Sequence, residues 1–196
     1  MGLNRNHPKK GSVIKVQPIK SLKDIRLIKR MLQDRPRDLC LFTLGINTNL
    51  RAGDILNLKV GQVLALTPGQ SIQIREKKTK KMRSVVFNSA CVAAINAYLD
   101  VREEGYDAQP LFMGQRGPLT VSTVNNMVKS WCSQINLRGN YGSHTLRKTW
   151  GYHQRVTFGV DLPTLMVCFN HSSQRQTLDY LCIDPEEIRD VFANEL

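Results

Sequence analysis

The sequence has no long hydrophobic run. No apolar stretch in its 196 residues approaches the roughly 18 to 20 residues that cross a membrane as a helix. The first residues, Met1 to Asn6, also lack the apolar core of a secretory signal peptide. These absences predict a cytoplasmic protein that is not held in a membrane.

Acidic residues are few compared with basic ones. The chain carries 28 Lys and Arg against 16 Asp and Glu, a net charge of +12. Such an excess indicates a polyanionic partner, either nucleic acid or an anionic membrane surface. Hydrophobic residues make up 41% of the chain, so the charge belongs to a folded protein and not to a disordered basic tail. The length fits one domain with a sizeable core.

The cysteines show no metal-binding or disulfide pattern. The sequence contains five, and no two have C-x-x-C spacing. They are scattered through apolar contexts, which predicts reduced, buried thiols. No cluster of acidic residues that could hold a metal ion is evident, and no P-loop is present.

The apolar pattern predicts an α+β fold that is mainly helical. Two stretches alternate with a period of two residues, 71–75 and, more loosely, 83–87. They are expected to pair as a β-hairpin around a very basic turn. Residues 115–119 are expected to form a turn. Helices are predicted over 21–33, 36–46, 90–101, 120–131, 144–158 and 161–169, with a short apolar helix after Arg51, a start at Ser172-Ser173 and a terminal helix from Pro185.

Four residues near the end of the chain suggest phosphate chemistry. His144 and Arg147 lie three positions apart, on one face of a helix, and His171 is followed nine positions later by Tyr180. A guanidinium presents a flat fork of donors to phosphate oxygens, and a tyrosine hydroxyl can be a covalent nucleophile. Taken singly, an H-x-x-R pair is usually two surface residues, and a lone tyrosine usually packs.

Two upstream features have the same ambiguity. Arg51 follows a buried helix and a polar turn, and on its own it could be a surface ion pair with Asp54. The predicted hairpin turn carries four lysines, which repel one another unless an anion is near. A solvated turn is the alternative. The lysines are Lys77, Lys78, Lys80 and Lys81.

Together these segments resemble the tyrosine recombinases, also called the phage integrase family. Leu50-Arg51 with Asp54 resembles the first box, H-T-L-R from His144 the middle box, and H-S-S-x-x-x-T-x-x-Y from His171 the last box. The lysine hairpin lies between the first two, and the resemblance covers about residues 18 to 196. Lys148, Asn170 and Gln62 depart from the residues that the family often has at these positions, but no catalytic group is lost.

The resemblance implies the tyrosine recombinase catalytic-domain fold and site-specific cleavage and rejoining of DNA through a 3′-phosphotyrosyl bond. Tyr180 would be the nucleophile, with His144 assisting its proton. Arg51 and Arg147 would hold the phosphate, and His171 would donate a further hydrogen bond. Lys78 would protonate the leaving 5′ oxygen, although Lys77 and Lys80 remain possible because hairpin register is easily misjudged. No metal and no cofactor are expected.

The implied partner is double-stranded DNA, bound by a homo-oligomer that forms a tetrameric synapse. Candidate DNA contacts are Lys77, Lys80, Lys81, Lys129 and Arg138. Residues 1–17 are expected to be a basic arm or linker remnant and 18–196 the catalytic domain, without the core-binding domain that usually precedes it. Whether the chain is a fragment or a single-domain recombinase stays open. The alternative functions are a type IB topoisomerase-like enzyme and a non-catalytic DNA-binding module.

Overall fold

A computed structural model describes residues 15–77, 80–102 and 107–182, together with residues 189, 192 and 195. Three predictions fall wholly or largely outside these residues: the basic arm at 1–17, Lys78, and the terminal helix from Pro185. Within the described residues the helices are α1 (Leu22–Met31), α2 (Pro36–Asn47), α3 (Ala52–Leu56), α4 (Val60–Val63), α5 (Ser89–Leu99), α6 (Val121–Gln134), α7 (Ser143–Val156), α8 (Leu162–Phe169) and α9 (Gln174–Leu181); the strands are β1 (Ser71–Arg75), β2 (Met82–Val86), β3 (Met113–Gly114) and β4 (Gly117–Pro118).

Helix α2 is the centre of the main core. It begins at Pro36, whose fixed φ suits a first helical position, and its residues 40–45 are all buried. It packs against α5 and α7. Gly45 permits the close approach of α7, because a Cβ there would lie 2.5 Å from Leu146 Cδ1. The packing therefore brings the segment that follows α2, which contains Arg51, next to the helix that carries Arg147.

Helix starts follow the capping residues of the sequence. The side chains of Ser21, Asn88, Thr120, Asp161 and Ser173 accept hydrogen bonds from backbone N–H groups at the starts of α1, α5, α6, α8 and α9. Predicted helix bounds accordingly agree with the structure to within a few residues. The mainly helical α+β fold is confirmed.

The predicted hairpin is present, with its second strand shifted by one residue. β1 and β2 pair antiparallel from Ser71 opposite Val86 to Arg75 opposite Met82. Ile74 and Val85 point into the core. The turn predicted at 115–119 is present but shorter: residues 115–116 reverse the chain, and Gly117–Pro118 form β4, which pairs with β3. Gly117, with φ of +113°, makes that tight reversal possible, and strands this short leave no periodic pattern.

Two hydrophobic clusters support the molecule. The larger one contains the inner faces of α1, α2, α5, α6 and the hairpin. The smaller one, formed by Leu165, Phe169 and Leu181 with Trp150 against it, holds α8 and α9 onto α7. The prediction of five buried thiols was wrong for two of them: Cys168 and Cys182, at or beyond the ends of α8 and α9, are only partly buried.

Candidate active site

A cavity of about 260 Å³ opens where three parts of the chain meet. These parts are the starts of α3 and α7 and the beginning of the hairpin turn, and the start of α6 adds Val121 to the lining. Four of the predicted site residues reach it: Arg51, Lys77, His144 and Arg147. The full lining comprises Arg51, Ala52, Gly53, Asp54, Lys77, Val121, Ser143, His144 and Arg147.

Arg51 is held by carboxylates. Its Nη1 lies 3.0 Å from Glu76 Oε2 and 3.9 Å from Asp54 Oδ2. Both carboxylate side chains are only 2% exposed, so the surface pair considered from sequence is instead a buried cluster. Asp54 Oδ1 also accepts the backbone N–H of Lys77 at 2.8 Å. The same acids therefore position Arg51 and anchor the start of the lysine turn.

Arg147 is held without any carboxylate. It is 2% exposed; its Nε donates to Asn49 Oδ1 at 2.9 Å and its Nη2 to the carbonyl of Phe169 at 3.0 Å. Buried Nη1 has no hydrogen-bond partner among the residues that the structure describes. Burial lowers the pKa of Arg147 to about 10, which leaves the guanidinium charged at neutral pH. One donor edge is thus unused beside the cavity.

Sequence reasoning missed Asn49. In the sequence Asn49 is only part of the polar turn after α2, yet its side-chain amide connects that turn to α7 and α8. It accepts from Arg147, and its Nδ2 donates to the Cys168 carbonyl at 2.7 Å. Its own carbonyl accepts from Arg83 Nη1 at 3.3 Å. No local pattern reveals a contact with a residue 98 positions away.

Tyr180 lies on α9 beside His144. Its hydroxyl oxygen is 3.2 Å from His144 Nδ1. Burial raises the pKa of Tyr180, while Arg147 and Arg51 act in the opposite direction. The Tyr180 ring centroid is 5.9 Å from the guanidinium carbon of Arg147. The hydroxyl therefore has an imidazole nitrogen in contact and two cations nearby, an environment that suits a phenol acting as a nucleophile.

His171 is fixed by a hydroxyl and by ring stacking. Its Nδ1 lies 3.0 Å from the hydroxyl of Thr177, which is fully buried. The imidazole stacks on Phe169 at a centroid distance of 5.0 Å. Burial, with Arg147 and Arg51, lowers the pKa of His171, so the neutral ring is favoured. Thr177 belonged to the last-box motif, but its contact with the imidazole was not foreseen.

The remaining predicted residues lie around the cavity or on the outer surface. Lys77 contributes to the cavity lining. Lys80 and Lys81 are exposed in the hairpin turn, and Lys80 has φ of +61°. Lys129, on α6, and Arg138, after it, are exposed and contribute nothing to the cavity.

Lys148, noted only as a departure from the family pattern, is buried. Its ammonium donates to the Asp179 carbonyl at 3.4 Å and to Cys182 Sγ at 3.1 Å, at the end of the helix that carries Tyr180.

The described residues contain neither a metal-binding cluster nor a membrane-spanning helix. Over 15–77, 80–102 and 107–182, no group of three or more His, Cys, Asp or Glu could hold a metal ion. In the same part of the chain, every helix is too short or too polar to cross a bilayer.

Sequence relatives agree with the motifs. The profile described as the phage integrase family matches residues 21–187. The "Probable integrase/recombinase YoeC" of Bacillus subtilis (strain 168) is 34% identical over 180 residues, which covers 89% of this chain and 93% of YoeC. "Tyrosine recombinase XerC" of Caldanaerobacter subterraneus subsp. tengcongensis is 31% identical over 166 residues, covering 80% of this chain. The match spans 44% of that XerC.

Solved structures share the fold. The crystal structure of XerA recombinase superposes with a TM-score of 0.73 at 21% identity, over 92% of this chain and 66% of XerA. XerH site-specific recombinase bound to its palindromic difH substrate in a post-cleavage complex gives 0.73 at 20% identity, over 93% and 54% of the two chains. The chain therefore belongs to the phage integrase family and is a tyrosine recombinase, as its motifs predicted.

Proposed function

We propose that this chain cleaves and rejoins double-stranded DNA with Tyr180 as the nucleophile. The observation that carries the proposal is the pairing of the Tyr180 hydroxyl with His144 Nδ1 at 3.2 Å, beside a cavity lined by Arg51 and Arg147. A phenol placed against a base and next to two guanidiniums is suited to attack on a phosphodiester.

In the proposed cleavage step, Tyr180 Oη bonds to the phosphorus while the bond from phosphorus to the 5′ oxygen breaks. The phenol proton passes to Nδ1 of His144, which can accept it when the imidazole is neutral. The leaving 5′ oxygen takes a proton from Lys78, which lies outside the described residues. The products are a 3′-phosphotyrosyl bond and a free 5′-hydroxyl. Attack by a 5′-hydroxyl of another strand reverses the step, so the bond energy is retained.

The two arginines would stabilise the charge that develops on the non-bridging oxygens. Preorganised donors at such a position act where water is excluded and need no reorganisation during the reaction. Arg147 is well suited, because its Nη1 is buried and lacks a hydrogen-bond partner among the described residues. Arg51 adds a second guanidinium, oriented by Glu76 at 3.0 Å.

His171 would supply a further donor. When the Thr177 hydroxyl donates to Nδ1, the neutral imidazole carries its proton on Nε2. Its lowered pKa favours this uncharged form at neutral pH. The ring can then donate one hydrogen bond to the phosphate without adding to the positive charge of the two arginines.

Further contacts with DNA are proposed for the exposed cations. Lys77, Lys80 and Lys81 follow β1, and Lys129 and Arg138 lie on or after α6. Each would neutralise backbone phosphate and contribute to a salt-dependent affinity. We further propose that copies of the chain assemble as a tetrameric synapse on DNA in the cytoplasm, with 18–196 as the catalytic domain and 1–17 as a basic arm.

The decisive experiment uses a suicide substrate nicked near the cleavage site. Wild-type protein should be trapped as a covalent adduct that resists denaturing gel electrophoresis, whereas Tyr180→Phe should bind the same DNA and give none. An adduct in the Phe variant would assign the nucleophile to another residue. Because the binding site is unknown, the DNA is first selected from a random pool with the Phe variant.

Two assays in parallel then define the reaction. A two-site plasmid should recombine with wild-type protein, and a supercoiled plasmid with one site should show little relaxation. Relaxation without recombination would identify a topoisomerase-like enzyme instead. Binding without either activity would identify a non-catalytic module.

A further inference from the structure

We infer that Asn49 is a positioning residue that holds the Arg147 guanidinium in its working orientation. The inference rests on the proposed function, because it concerns the same phosphate site. Asn49 lies between α2 and α3 and is 1% exposed. Its side chain accepts a hydrogen bond of 2.9 Å from Arg147.

The backbone at Asn49 points to a role for the side chain. Its φ is +55°, a left-handed conformation that glycine adopts without strain and that other residues adopt less readily. Asparagine tolerates this conformation, and Asn136 adopts it as well, with φ of +57°. Asn136, however, is exposed, whereas both side-chain amide atoms of Asn49 are buried and paired. A turn alone would not require this amide.

The hydrogen bonds of the amide fix the guanidinium on one side. Oδ1 accepts from Nε, and the Phe169 carbonyl accepts from Nη2. With these two donors engaged, the planar group is held against rotation about its long axis, and the two N–H groups of Nη1 have no partner among the described residues. Nδ2 of Asn49 ties the same amide to the Cys168 carbonyl at 2.7 Å, three residues before His171. Arg147 and the last box are therefore positioned by one side chain.

A neutral acceptor also preserves the charge of Arg147. Arg51 shares its charge with Glu76 and Asp54, but Arg147 is oriented by an amide and a carbonyl only. A carboxylate at position 49 would hold the same Nε and would cancel much of the charge that a phosphate needs. The geometry thus assigns to Asn49 both orientation and electrostatic neutrality.

The test compares Asn49→Gly with Asn136→Gly in single-turnover cleavage of the suicide substrate. Both changes place glycine in a left-handed position, so the backbone is relieved in each. Asn49→Gly should lower the cleavage rate about 10- to 100-fold, as expected when a catalytic group is displaced by an ångström or less. Asn136→Gly should cleave at the wild-type rate. Equal rates for wild type and Asn49→Gly would overturn the inference.

A double-mutant cycle separates positioning from a general structural effect. If Asn49 acts through Arg147, Asn49→Gly should cost little in an Arg147→Ala background, and the two losses should not add. A methylphosphonate at the cleavage site should also reduce the Asn49→Gly loss, because it removes the charge that the guanidinium neutralises. Additive losses together with an undiminished effect on the neutral substrate would show that Asn49 only maintains the fold.

Asn49→Asp tests the requirement for a neutral acceptor. This variant keeps an acceptor for Nε and should still cleave the charged substrate at least 10-fold more slowly than wild type, since the carboxylate offsets the guanidinium charge. Wild-type activity in this variant would overturn the electrostatic part of the inference. If wild-type protein itself forms no adduct, the proposed function fails; if it does and Asn49→Gly is unaffected, only the positioning role fails.

Discussion

The two halves of the candidate site are supported differently. The guanidinium half, Arg51 and Arg147, rests on the main core, and every side chain that orients it is buried: Asn49, Asp54 and Glu76. The nucleophile half contains His144, which is exposed, and His171 and Tyr180, which are partly exposed. His144 lies on α7 with Arg147, whereas His171 and Tyr180 depend on α8 and α9, which rest on the small cluster of Leu165, Phe169 and Leu181.

This difference matches what each half must do. Stabilising a transition state by electrostatics requires donors that are already in place, and burial among paired polar groups provides that rigidity. A nucleophile must approach the phosphorus and then let the product move, which a lightly packed pair of helices allows. Arg147 joins the halves, because it binds Asn49 on one side and the Phe169 carbonyl, at the end of α8, on the other.

The largest effect is expected from replacing Arg147, which connects the two halves. Arg147→Ala should lower single-turnover cleavage by about 10²-fold or more, the usual consequence of losing one preorganised donor. Arg147→Lys should be nearly as damaging, since an ammonium cannot replace the fork that binds Asn49 and Phe169 together. Rates are measured on the suicide substrate, with melting temperature as a control for folding.

Near-wild-type cleavage by the Lys variant would show that charge alone suffices at this position. Metal chelation provides an independent control, because the proposed chemistry needs no ion. EDTA should leave the wild-type rate unchanged. Activity that is lost with EDTA and restored by magnesium would contradict the two-arginine mechanism.

A second prediction tests whether a lysine serves the leaving group separately from either half. Lys78→Ala should slow cleavage of an ordinary phosphodiester by about 100-fold, within the range of general-acid catalysis. A substrate with sulfur at the 5′ bridging position has a leaving group that needs no proton and should restore the rate. It should not restore Arg147→Ala, because the arginine acts on the non-bridging oxygens.

Lys77, Lys80 and Lys81 are the matched controls for that experiment. Sulfur rescue of Lys80→Ala instead of Lys78→Ala would move the general acid by two positions. Rescue of none would make the turn a DNA-backbone patch, and each variant would then show weaker and less salt-sensitive binding.

The nature of each contact explains how far the sequence could predict this site. Helix starts were readable because capping is local, and the three boxes were readable because their spacing is local. Asn49 and Glu76 were not assigned, since their partners lie far away in sequence and leave no periodic signal. Burial also changed one interpretation: Arg51 and Asp54 are neighbours on a short helix, but Glu76, contributed by the hairpin, turns a surface pair into a buried cluster.

A third prediction concerns the hydrogen bond that fixes the His171 imidazole in the nucleophile half. Thr177→Val keeps the shape of the side chain and removes its hydroxyl from His171 Nδ1. The neutral ring could then carry its proton on either nitrogen. Cleavage should fall by roughly 10-fold, which corresponds to the loss of one hydrogen bond worth about 1.4 kcal/mol. Thr177→Ser should restore most of the rate.

If Thr177→Val lowered the melting temperature and Thr177→Ser did not recover activity, packing would explain the loss and not the tautomer. The imidazole can also be observed directly: nitrogen chemical shifts of His171 should indicate a proton on Nε2 in the wild type. A proton on Nδ1 would contradict the proposed donor.

The smallest effect is expected at Lys148, whose hydrogen bonds to the nucleophile half are made at the end of α9. Its ammonium binds the Asp179 carbonyl and Cys182 Sγ and lies 5.3 Å from the Tyr180 ring centroid. A cation at a helix C-terminus contributes about 0.3 to 1 kcal/mol, so Lys148→Met should reduce cleavage only about 2- to 5-fold. Lys148→Arg keeps the charge, so its cleavage rate should lie between those of wild type and Lys148→Met. DNA affinity should be unchanged, because the side chain is buried.

A loss of 100-fold or more in Lys148→Met, with folding intact, would place Lys148 among the groups that act on the phosphate and would end the separation between the two halves.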